Sequence, residues 1–188
     1  MSGFDDYLGL RELDLSRHRL VAFVGRSGSG KSTAIRWLLE DHPDFRRREA
    51  VVLQRSRFSS LPDGRHDLVV LDDLVTTADL RCLPPLLRRS RTLLVASHLA
   101  TAWFRLLQPL FRASIFRTDR DQGKIARYLA GRGVEASDSA VREFARRFGA
   151  TYTDADIVLE RHPGSSFDAA LARFVKFSEI RVDGAVAD

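Results

Sequence analysis

Leu20-Val21-Ala22-Phe23-Val24-Gly25-Arg26-Ser27-Gly28-Ser29-Gly30-Lys31-Ser32-Thr33 decides how this chain is read. Five apolar residues predict a buried strand, and the glycine-rich run after them predicts a tight turn that opens a helix. The spacing is G-x-x-x-x-G-K-S, with Gly25, Gly30, Lys31 and Ser32 in the fixed places of a phosphate-binding loop. Glycines let successive backbone N–H groups converge on an anion, and the helix adds its positive end. Residues Gly25, Arg26, Ser27, Gly28, Ser29, Gly30, Lys31, Ser32 and Thr33 are therefore the expected phosphate cradle. Lys31 is expected on the β- and γ-phosphates and Ser32 on Mg²⁺, so ATP with Mg²⁺ is the expected ligand.

Working outward, short apolar runs alternate with helical stretches. Strands are expected near 19–25, 50–53, 67–71, 92–96 and 113–117. Helices are expected near 31–40, across 76–90 with an interruption at Pro84-Pro85, and across 99–111. Residues 54–66 read as a polar loop, and residues 1–18 as a lead-in holding a short helix or an edge strand. The alternation predicts an α/β fold with a parallel sheet and helices on both faces. After Asp121 only helical periodicity remains, with caps expected at Ser137 or Asp138, at Thr153, and at Ser165 or Ser166. The expected organisation is a nucleotide-binding core over 1–120, a helical lid over 121–180 and a frayed tail over 181–188.

Two further strand ends carry polar groups. Leu68-Val69-Val70-Leu71 runs into Asp72 and Asp73. Asp72 is expected to hold the metal, and Asp73 to orient or deprotonate a water at the γ-phosphate. Thr92 to Ala96 runs into Ser97 and His98, either of which reaches the γ-phosphate if this strand lies between the first and third. The other histidines show no metal-ligand spacing.

The composition sets limits. The 188 residues, 44% hydrophobic, are enough for a real core. No apolar run is long enough to span a bilayer, and the acidic start lacks an apolar signal segment, so no membrane contact and a cytoplasmic location are expected. Cys82 is the only cysteine, which rules out an internal disulfide. The net charge is +5, with 27 arginines against 3 lysines. Residues 81–120 hold eight arginines and one aspartate, a net of +7, and are the candidate contact surface for nucleic acid or a protein partner.

The phosphate loop, the Asp72-Asp73 strand end and the Ser97-His98 strand end resemble, in this order, the P-loop ATPases with an extra strand between the first two motifs. The loop and Ala96-Ser97-His98 are also similar to ABC ATPases. Only 34 residues separate Ser32 from Asp67, however, which leaves no room for the ABC helical insert, and no L-S-G-G-Q-like signature occurs. Residues 19–160 resemble the AAA+ superfamily, and Asp72-Asp73 resembles its initiator and helicase-loader branch. That resemblance implies a self-assembling ATPase, a homo-oligomer that remodels or loads a partner, with nucleic acid or protein as that partner. It implies a trans-acting arginine at Arg112, with Arg117 as the second candidate. An arginine expected at the third lid helix is missing, since Arg146 and Arg147 lie a helix early. Two other functions fit the loop: a small-molecule or nucleotide kinase using Arg127 and Arg132, and a slow nucleotide-dependent switch or scaffold.

Overall fold

In the computed structural model, residues 5–54 and 63–183 are described. Five strands, β1 (Leu20–Val24), β2 (Ala50–Gln54), β3 (His66–Leu74), β4 (Ser90–Ser97) and β5 (Ala113–Arg117), form one sheet in the order β2-β3-β4-β1-β5. Every neighbouring pair is parallel. β4 thus lies between the strand that enters the glycine loop and the strand that carries the paired aspartates. All five β1 residues are buried, as expected of a central strand covered on both faces.

The period-two alternation of β1 divides the core. Val21 and Phe23 join Ile35, Trp37 and Leu38 of α1 (Lys31–Asp41) on one face. Leu20, Ala22 and Val24 join Leu83, Leu86 and Leu87 of α2 (Leu83–Arg89) and Phe104 of α3 (Thr101–Arg105) on the other. Pro84 and Pro85 fall in the first turn of α2, where a missing N–H costs nothing. They start that helix rather than interrupt one, and a 3-10 segment, Thr77–Cys82, precedes it. The lead-in contributes a 3-10 turn, Leu10–Glu12, and buries Leu10 and Leu15 against the α1 side. Residues 55–62 of the expected loop lie outside the described residues.

The backbone divides into two compact units, Met1–Asp119 and Arg120–Asp188. The second holds α4 (Gln122–Gly131), α5 (Asp138–Phe148), α6 (Tyr152–Arg161) and α7 (Phe167–Asp183). Its own core gathers Ile125, Leu129, Val141, Phe144, Val158, Phe167 and Leu171. Ser137 caps α5 by accepting from the Ala140 amide. The cap of α6 is Thr151, not Thr153: its buried hydroxyl accepts from the Asp154 amide. Residues 184–188 of the expected tail lie outside the described residues. Among the described residues, no helix is long and apolar enough to cross a membrane.

Candidate functional site

β1 delivers the chain to Gly25 at the middle of the sheet, between the ends of β4 and β5. The Gly25 amide donates to the Ser97 carbonyl at 3.1 Å. A Cβ on Gly25 would stand 2.4 Å from Thr118 Oγ1 and 2.8 Å from Ser29 Oγ, so a side chain has no room there. The loop is fastened from beneath by the Ser29 and Thr118 hydroxyls, 2.6 Å apart and buried. Gly28 (φ 68°) and Gly30 (φ 93°) supply the left-handed conformations that curl the loop into α1. Gly30 is the N-cap of α1, and no side chain caps that helix. Its first-turn amides therefore lack the acceptor a serine or aspartate cap would provide.

Lys31 opens α1 and is 6% exposed. Its ammonium donates back to the Gly25 carbonyl at 3.0 Å and the Arg26 carbonyl at 2.8 Å. Burial pushes the Lys31 pKa down, while the charges of Asp73, Asp72 and Asp119 oppose that shift. Ser32 and Thr33 are exposed beside it, as are Arg26 and Ser27 in the loop. Ser32 donates its hydroxyl to Asp72 Oδ1 at 2.9 Å, joining α1 to β3. The charges of three carboxylates thus act on one ammonium at the foot of an uncapped helix.

The end of β3 is irregular. Its pairing with β4 shifts between Leu71 and Leu74, and Asp73 takes φ 71°, the only positive value of a non-glycine residue among those described. That conformation turns Asp73 outward, and its Oδ1 lies 3.0 Å from His98 Nε2. Ser97 behaves differently from expectation. It is fully buried, donates its hydroxyl to the Leu74 carbonyl at 2.9 Å and accepts from the Leu99 amide at 3.0 Å. Ser97 therefore holds the irregular strand end in place, and its hydroxyl is not directed at a ligand.

The candidate arginines are dispersed. Arg112 precedes β5, at the edge of the sheet opposite the glycine loop, and its carbonyl accepts from the Arg19 amide at 2.9 Å. Arg117 is paired with Asp119 at 3.2 Å. In the helical unit Arg127 pairs with Asp121, Arg132 with Asp156, and Arg146 and Arg147 with Glu143. Among the described residues, no group of three or more His, Cys, Asp or Glu side chains could hold a metal by itself. Ser32 and Asp72 fit Mg²⁺ as a pair of oxygen donors, with the remaining positions left to phosphate and water. Sequence reasoning missed Thr118, the loop's buried fastening. Its signal is a threonine placed directly after an apolar strand, at the sheet end where the loop lies.

No family model and no curated protein matches this chain. Among solved structures, the chain is similar to one in the E. coli MS115-1 HORMA:CdnC:Trip13 complex, with 16% identity, a TM-score of 0.45, and 86% of this chain and 74% of that one covered. It is also similar to Rhizobiales Trip13, with 18% identity, a TM-score of 0.46, and 84% and 73% covered. Likenesses this distant carry no function across. No family model supports the AAA+ expectation or its initiator and helicase-loader branch, and that assignment is withdrawn. The assembling ATPase that remodels or loads a partner rested on that resemblance, and it is withdrawn as well.

Proposed function

We propose that this chain is a regulatory protein whose contact with a protein partner is set by a bound Mg²⁺–nucleoside triphosphate, ATP in the simplest case. The observation that carries the reading is the uncapped N-terminus of α1, wrapped by the glycine loop and adjoining the Ser32–Asp72 pair at 2.9 Å. Phosphate oxygens complete such a helix end, and the Lys31 ammonium can exchange its two carbonyl acceptors for them. The carboxylates of Asp72, Asp73 and Asp119 oppose a bare polyphosphate, so the nucleotide enters with its cation. Mg²⁺ supplies the charge that lets phosphate and carboxylate share the site.

The Asp73–His98 pair gives the site a means of signalling. His98 is followed after two residues by α3, so a change at the pair reaches α3 directly. Phe104 anchors α3 in the core, whereas Trp103, Leu106 and Leu110 are 42%, 67% and 72% exposed. Large apolar side chains left exposed close together in sequence favour contact with a protein. The test is hydrogen exchange over residues 99–111 with Mg²⁺–ATP, Mg²⁺–ADP or neither, alongside calorimetric nucleotide binding. Binding with altered exchange in this segment is expected. Binding with unchanged exchange overturns the regulatory reading, and no binding overturns the site. Light scattering under the same conditions distinguishes a second copy of this chain from a different partner.

A further inference from the structure

The arginine-rich stretch 81–120 does not form one face. Part of it combines with residues distant in sequence at the strand-entry edge of the sheet. There, around a cavity of about 960 Å³, stand Arg17, Arg65, Arg88, Arg89, Arg91 and Arg112, with Arg19 and His18 at the entrance to β1. These seven arginines face a single carboxylate, Asp67, which is 3.8 Å from both Arg91 and Arg48. Among the described residues, Arg65, Arg88, Arg89 and Arg112 have no carboxylate within ion-pair distance. All four are exposed. Arg19 is held by the Leu87 and Ser90 carbonyls, which fixes one wall. His18 Nδ1 is buried without a hydrogen-bond partner, an unmet polar group within the lining.

We propose that this basin binds the sugar–phosphate backbone of a nucleic acid, without reading its sequence. Four side-chain properties support this occupant. The cations are all guanidinium groups, whose forked donors match phosphate oxygens. They come from four separate segments, which spreads the charge over more than one phosphate's reach. Among the described residues no Phe, Tyr or Trp lines the cavity, and its only rings are the imidazoles of His18 and His66, so it offers no broad platform for stacking bases. No apolar side chain lines it either among the described residues, whereas a protein partner is usually anchored by buried apolar groups. The basin lies at the opposite sheet edge from the glycine loop, and its occupancy does not depend on the nucleotide reading above.

The test is fluorescence anisotropy of the full chain with a labelled, mixed-sequence DNA duplex of about two helical turns, titrated between about 50 and 200 mM salt. Replacing Arg88, Arg89 and Arg112 together by Gln is expected to weaken binding about 10- to 100-fold and to lower the salt slope by about 3. Replacing the same three by Lys should restore most of the slope. Arg142→Gln with Arg173→Gln, both in the helical unit, should leave binding unchanged, and so should Lys31→Ala. Failure of Lys31→Ala to bind ATP while it still binds DNA keeps the two proposals separate. Unaltered DNA affinity in the Gln variant, or no DNA binding by the parent chain, overturns the proposal. Displacement of the DNA by poly-glutamate at equal charge assigns the basin to an acidic protein instead, and overturns it too.

Discussion

His98 Nε2 lies 3.0 Å from Asp73 Oδ1, beside the register shift in the pairing of β3 with β4. The pair exists because Asp73 adopts φ 71°, which a β-carbon disfavours and a regular strand would not allow. Asp73→Asn keeps the side-chain shape and removes the charge. It is expected to retain Mg²⁺–ATP affinity within about 3-fold, or about 0.6 kcal/mol, while reducing the difference in hydrogen exchange between ATP and ADP over residues 99–111. Competition calorimetry and exchange on the same variant check both halves.

Lys31→Ala removes the one ammonium beneath the loop. Nucleoside triphosphate affinity should fall by at least about 100-fold, equivalent to about 2.7 kcal/mol. Thermal stability without nucleotide should not fall, because the ammonium is costly to bury and holds only two carbonyls. A variant that binds as tightly as the parent removes the nucleotide from this site.

Gly25→Ala drives a methyl group into the Thr118 hydroxyl, with the Asp119 amide 3.3 Å behind it. The expected loss is about 1–3 kcal/mol, as for other overpacked sites. Chemical denaturation gives the value. Pairing the change with Thr118→Ser tests the cause: the hydroxyl stays, so the clash should persist.

Tyr128 donates to Asp156 at 2.8 Å in the helical unit. Burial, reinforced by that carboxylate, pushes its pKa up to about 12. A raised folded-state value means the neutral phenol stabilises the fold below the unfolded value near 10. That contribution is lost as pH rises from about 10 to about 12. Tyrosinate absorbance should show one late-ionising component that disappears in Tyr128→Phe, and the variant's stability should fall less across this window.

Cys82 is half-buried, and its thiol is raised to about 11 by burial and by the charge of Asp79. Its reaction with a thiol reagent near pH 8 should be slow in the folded chain and fast in denaturant. Equal rates would place the thiol in solvent.

Sequence made the sheet legible because its strands are almost entirely apolar and its turns carry glycine or paired acids. The run from Leu20 to Thr33 placed strand, loop and helix within a residue or so of where they lie. Side-chain direction at strand ends was not legible. Ser97 and His98 are neighbours, yet one is tied beneath Leu74 and the other meets Asp73, a split set by the register shift in β3. Charge was misleading for a related reason. The 81–120 run is continuous in sequence, but Arg112 and Arg117 occupy opposite ends of β5, one in the arginine basin and the other paired beside the loop.

β1 has Arg19 at its entry and Gly25 at its exit, with five buried residues between them. At roughly 3.3 Å per residue the two ends are about 20 Å apart, more than twice the screening length of about 8 Å in physiological salt. Two anions bound at these ends would scarcely repel each other through solvent. The sheet is thus long enough to insulate one polyanion from another, so both can be held at once and any influence between them must pass through movement of the strand itself.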